Sequence, residues 1–151
     1  MKKIVYYLVV MIGFTACASN EKKAETSGPV LSPEEKQKAI SDTSNYTTIQ
    51  WLDSTTLALG KVKKGEVVEV AFRFKNTGDR QLVIKDVMPG CGCTSPEKPQ
   101  QPFAPGEEGV IRARFDSKNQ HLGSHNKPVT VEANTKPSTT HQLYFSVEIT
   151  E

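Results

Sequence analysis

From Val68 onward, apolar and polar side chains alternate with a period of two. Val68, Val70, Phe72 and Phe74 interleave with Glu69, Ala71, Arg73 and Lys75, which predicts a strand with one face in a core and one in water. Asn76-Thr77-Gly78-Asp79 then ends it in a turn. Leu82 and Ile84 start a second strand, and Val87 falls out of phase with them, which places a bulge near Lys85-Asp86. The same alternation returns in Ile111, Ala113 and Phe115, in Val129, Val131 and Ala133, and in Leu143, Phe145, Val147 and Ile149. Weaker strands are read at Ile49 to Asp53 and Thr56 to Leu59, with Trp51 plugging one end of the core. Seven short strands separated by turns, with no helical period after Tyr46, predict an all-β antiparallel sandwich over residues 47–151. Each strand is apolar on one side only, as two sheets with wet outer faces require.

Residues 17–46 read differently. Between Ala18 and Tyr46 the large apolar residues are few, chiefly Val30, Leu31 and Ile40, so this stretch has little to bury. Ser32-Pro33-Glu34-Glu35 is a helix start, with Ser32 as N-cap, Pro33 at the first position and Glu35 completing a capping box. The expected helix runs from Pro33 to about Ile40. A helix this short is marginal in water, so the segment reads as a solvated spacer.

Residues 1–16 form a targeting segment. Lys2 and Lys3 are followed by the mainly apolar run Ile4 to Phe14, too short to cross a bilayer and suited to a signal-peptide core. Phe14-Thr15-Ala16-Cys17 resembles the lipobox of bacterial lipoproteins, with Phe14 where the usual pattern has Leu. The resemblance implies that Cys17 becomes the mature N-terminus and carries the lipid, each buried methylene contributing about 0.8 kcal/mol of membrane affinity. Ala18-Ser19 lacks the Asp that retains many lipoproteins at the inner membrane. The expectation is a cell-envelope protein anchored at the outer membrane rather than the inner one.

Charge narrows the classes of partner. The chain carries 19 Lys and Arg against 17 Asp and Glu, and loss of Lys2 and Lys3 with the signal peptide leaves it neutral. No basic run exceeds two residues, so there is no electrostatic footprint for nucleic acid. Catalytic motifs are also missing: no Gly-rich phosphate loop, no Gly-x-Ser-x-Gly elbow, no His-Glu-x-x-His. The chain is expected not to be an enzyme.

The unusual segment is Met88 to Gly109, which holds five of the nine prolines and both remaining cysteines. In an extended chain the thiols of Cys91 and Cys93 would lie on one side with Cα atoms about 6.6 Å apart, near the upper limit for a disulfide. Gly92 permits the contraction that closes one. Three uses of the pair stay open. It is a packed pair or static bridge in an oxidising compartment. It is a soft-metal site, with Met88 suiting Cu(I), and His121 and His125 completing a Zn or Cu shell if the fold brings them near. Or it is a thiol–disulfide redox pair. The residues around His121 and His125 read as loop, so both histidines are expected in solvent, and His141, at the start of the last strand, is expected on the surface.

Several motifs occur in a fixed order: Phe74-Lys75-Asn76-Thr77-Gly78-Asp79, Leu82-Val83-Ile84 with Val87, Cys91-Gly92-Cys93-Thr94, Pro105-Gly106-Glu107 and Phe115-Asp116-Ser117. Together they resemble the bacterial domain-of-unknown-function family numbered 1573, over roughly Leu57 to Ala133. The resemblance implies an immunoglobulin-like sandwich related to domains of ciliary and centrosomal proteins and of major sperm protein, and it implies no established activity. The functional expectation is a non-catalytic binding or scaffolding module, lipid-anchored, that meets a protein partner through sheet edges and loops.

Overall fold

The computed structural model describes residues 28–151; the segment read as a signal peptide, and Cys17, lie outside the described residues. Strands form where the period-two segments predict them, and one forms where no pattern announces it. In chain order they are β1 (Ile49–Trp51), β2 (Thr56–Lys63), β3 (Val67–Asn76), β4 (Ile84–Pro89), β5 (Thr94–Pro96), β6 (Glu108–Asp116), β7 (Gly123–Ala133) and β8 (Thr140–Thr150). They make two four-stranded sheets, ordered β1-β3-β6-β5 and β2-β8-β7-β4, packed as an immunoglobulin-like sandwich. Phe72, Phe74, Ile111 and Phe115 from one sheet meet Val129, Leu143, Phe145 and Ile149 from the other, all buried. Phe115 and Phe145 pack edge to face with ring centres 5.5 Å apart, a geometry that sets a ring's positive edge against its partner's negative face.

Two features of the sandwich differ from the pattern-based reading. The eighth strand, β5, pairs Thr94 with Phe115 and Pro96 with Ala113; three residues are too few to show a period. The sandwich is also not purely antiparallel, because β2 runs parallel to β8. The chain leaves the first sheet after β1 and crosses to the second, so its direction along β8 is set by that crossing and not by a hairpin. The bulge expected near Lys85-Asp86 is present as a register shift between Ile84 and Asp86 in the β4–β7 pair. It lets both Ile84 and Val87 reach the core.

Helix α1 (Pro33–Ser41) has the predicted capping box of Ser32 and Glu35 and the predicted proline at its start. It is not a solvated spacer. Lys36 is 6% exposed, and its Nζ donates to the Pro99 carbonyl (2.8 Å) and to Gln100 Oε1 (3.0 Å). The Leu31 N–H donates to the Gln100 carbonyl (3.0 Å), and the Tyr46 hydroxyl donates to the Ile40 carbonyl (2.7 Å). What docks here is a lysine stem and backbone, not an apolar stripe, so polarity concealed the docking.

Two buried asparagines hold the chain crossings together. Asn134 Oδ1 accepts from the Val83 N–H (2.7 Å), while its Nδ2 donates to the carbonyls of Asn45 (2.7 Å) and Gln81 (2.9 Å). Asn76 Nδ2 donates to the carbonyls of Arg80 (2.7 Å) and Phe103 (3.0 Å), and its Oδ1 accepts from the Thr47 hydroxyl (2.8 Å). These side chains satisfy backbone groups of the connections between strands, and the Phe103 carbonyl accepts from the Leu82 N–H as well (2.9 Å). Gly109 sits opposite Phe74 in the β3–β6 register, where any Cβ would collide with the rings of Phe74 and Phe103. Asn134→Ala is expected to lower the unfolding free energy in urea by about 1–3 kcal/mol for the orphaned Val83 N–H alone. Gly109→Ala is expected to cost about 1–3 kcal/mol by overpacking; unchanged urea midpoints would contradict both assignments.

Candidate functional site

The Cys-Gly-Cys segment is a turn, not extended chain. The Thr94 N–H donates to the Cys91 carbonyl at 3.2 Å, closing a four-residue turn between β4 and β5. The turn draws the Cα atoms of Cys91 and Cys93 to 5.3 Å, and the two are disulfide-bonded. That separation lies well inside the disulfide range. Gly92 does not use a left-handed backbone, and nothing stands within 4 Å of where its Cβ would be. The contraction therefore comes from the turn itself. Backbone bonds hold both flanks: the Gly90 N–H donates to the Pro128 carbonyl and the Asp116 N–H to the Cys93 carbonyl, each at 2.9 Å.

Buried Thr94 places its hydroxyl 3.7 Å from Cys91 Sγ and 3.9 Å from Cys93 Sγ. Beside the bridge is a cavity of about 360 Å³ walled by Cys91, Cys93, Asp116, Asn119, Gln120 and Lys127. Lys127 Nζ donates to Gln120 Oε1 at 2.7 Å. Neither Met88 nor His121 nor His125 lines this cavity. Met88 is 40% exposed on β4. His125 lies on β7 and not in a loop, half-buried, with Nε2 2.7 Å from the His121 carbonyl oxygen. Among the described residues no three His, Cys, Asp or Glu side chains gather where they could hold an ion.

His141 departs from the surface reading. It is half-buried, packed edge-on to Trp51 with ring centres 5.9 Å apart, and its Nε2 is 2.8 Å from Thr135 Oγ1. Trp51 in turn packs on Phe74 (5.8 Å) at the margin of the core. The signal was present in the alternation: His141 shares the inward parity of Leu143 and Phe145.

The second feature is an edge of backbone. β1 pairs only with Phe74–Asn76 of β3, although β3 begins at Val67. Beyond Trp51, the Leu52 N–H donates to the Arg73 carbonyl (2.9 Å), and Asp53 then caps the ladder. Its carboxylate accepts the Arg73 N–H (2.8 Å) and pairs with the guanidinium (2.7 Å). The Arg73 side-chain and backbone donors hold the Asp53 carboxyl below the usual carboxylate range. Because amide direction alternates along a strand, Glu69 and Ala71 aim their N–H and C=O groups to the same side as Arg73. Along Val67–Ala71 that side has no partner strand among the described residues. Val67, at the start of this edge, is 52% exposed. On the adjoining outer face a cleft of about 510 Å³ is floored by Ala71, Val110 and Arg112, with Pro99 and Phe103 on its wall.

Two four-stranded sheets packed face to face, with the chain crossing from one to the other between β1 and β2, define an immunoglobulin-like β-sandwich. The chain belongs to the protein family of unknown function DUF1573, whose model matches residues 50–149. Its fold is similar to that of a protein of unknown function from Porphyromonas gingivalis W83, at 17% identity and a TM-score of 0.62, over 71% of this chain and 49% of that one. This chain thus spans about half the length of that protein. It is also similar to the ASH / PapD-like domain (PapD-like domain 7) of human CEP192, at 12% identity and a TM-score of 0.52, over 71% of this chain and 87% of that one. At such identities the likeness is one of fold alone. No curated protein matches the sequence.

Burial holds His141 below the usual histidine range. Its folded-state pKa is therefore lower than its unfolded value of about 6.5, and stability is complete above that value. As pH falls through it, the unfolded chain takes up a proton that the folded chain resists, and stability drops. Urea midpoints are expected to fall between about pH 7.5 and 5.5, and His141→Gln to flatten that decline; an equally steep decline in the variant would refute the assignment.

Proposed function

We propose that this protein is a non-catalytic binding or scaffolding module of the cell envelope. A lipid on Cys17 tethers it, and it takes an extended segment of a partner protein along the free edge of β3. The observation that carries this reading is the side of Val67–Ala71 turned away from β6, where no strand pairs among the described residues. An edge with unused donors and acceptors accepts a further strand, with main-chain hydrogen bonds supplying affinity and alternate side-chain pockets supplying specificity. The exposed side chain of Val67 and the cleft beside Ala71 offer such contacts. The sandwich of CEP192 supports the architecture only.

The test is co-purification from membranes with the intact chain. Ala71→Pro deletes the outward N–H while leaving the β6 ladder its bonds, and is expected to abolish capture of the partner. Ala71→Val keeps the N–H and is expected to retain it. Capture that survives Ala71→Pro in a folded chain rules out the β3 edge. In parallel, Cys17→Ser is expected to lose incorporation of a labelled fatty acid and to release the chain from the membrane fraction. Persistence of both would disprove the anchor.

A further inference from the structure

We infer that Cys91 and Cys93 form a thiol–disulfide exchange site that accepts two electrons from an external dithiol, supplied by a partner with two neighbouring cysteines. The first ground is what the bond does not do. The turn is already closed by the Thr94–Cys91 backbone bond and fastened to β7 and β6 through Gly90 and Cys93. The two cysteines are only two positions apart, so the cross-link removes very little entropy from the unfolded chain. A bond that contributes little to holding the fold is released to a competing thiol with little loss of stability.

The second ground is access. Gly92 is exposed at the tip of the turn, and the bridge forms one wall of an open cavity of about 360 Å³, ample for an incoming cysteine side chain. The third is charge. The Thr94 hydroxyl is within reach of either sulfur and can donate to a leaving thiolate. Lys127 and Asp116 both line the cavity: the positive charge of Lys127, whose Nζ donates to Gln120 Oε1, favours the anion, and the negative charge of Asp116 opposes it. Asp116 Oδ1 is engaged by the Lys118 N–H (2.8 Å). Hydrogen-bond donors and cations at a thiolate are what make a cysteine a good leaving group.

Exchange takes two displacements. One thiolate of the external dithiol attacks one sulfur of the bridge. The Cys91–Cys93 bond breaks, its electron pair leaves on the other sulfur, and a mixed disulfide forms. The second thiol of the donor, deprotonated, then attacks its own sulfur in the mixed disulfide and expels the remaining cysteine as thiolate. The donor ends as a disulfide, and its two protons end on Cys91 and Cys93.

The experiment uses the full chain with dithiothreitol as the dithiol, and alkylation with peptide mapping separates Cys91 and Cys93 from Cys17. Reduction is expected under native conditions, with the circular dichroism spectrum and urea midpoint unchanged. Thr94→Val is expected to slow it about tenfold through loss of a hydrogen bond to the developing charge, Lys127→Gln to slow it as well, and Gly92→Ala to leave it unaltered. A bond that opens only where urea unfolds the chain, or a fold that collapses on reduction, would make it a structural clamp and overturn the inference. So would rates unaffected by both Thr94→Val and Lys127→Gln, or tight retention of Cu(I) by the reduced pair. The β3 edge plays no part in this test, so neither reading falls with the other.

Discussion

Each sheet must bury one face against the other, and a β-strand offers only alternate side chains for that purpose. In this molecule the constraint governs the core, its bulge and the glycine at position 109. Phe72, Phe74, Ile111 and Phe115 occupy one layer and Val129, Leu143, Phe145 and Ile149 the other. Where the chain needs an extra inward residue it uses a bulge, as between Ile84 and Asp86. Where two aromatic rings fill the space of one register position, the opposite strand carries Gly109.

A two-layer core leaves polar backbone at its ends and edges, and the protein treats the two differently. At the ends, Asn134 ties together backbone groups of Asn45, Gln81 and Val83, and Asn76 those of Arg80 and Phe103, with the Thr47 hydroxyl joining the second cluster. At the β3 edge, satisfaction stops at Asp53, whose carboxylate ends the ladder as the chain crosses to the second sheet. The crossing that lets β2 cover one side of β8 is thus the same event that leaves the side of Val67–Ala71 away from β6 without a partner strand among the described residues.

The two proposed functions lie apart within one sheet. In the order β1-β3-β6-β5, the free backbone borders β3 on the β1 side, while the Cys91–Cys93 turn leads into β5 at the opposite edge. A strand added at one edge does not cover the bridge at the other, so binding of a partner segment and exchange with a dithiol are sterically compatible on one domain.

The strands, the bulge, the helix cap at Ser32 and the position of the Cys-Gly-Cys motif were legible in the residues, because each rests on interactions between near neighbours: alternation, a proline, a hydroxyl three positions from a glutamate. The docking of α1 was not, since Lys36 finds its acceptors at Pro99 and Gln100, more than sixty positions away. The same holds for β5, which becomes a strand only because β6 lies beside it, and for His141, whose parity was readable but whose neighbour Trp51 was not. By itself the sequence determined which side chains face inward and where the chain turns. Only the tertiary structure decided which sheet each strand joins, which edge stays open and which groups surround the two sulfurs, because those depend on contacts between segments far apart along the chain, and local periodicity carries no information about them.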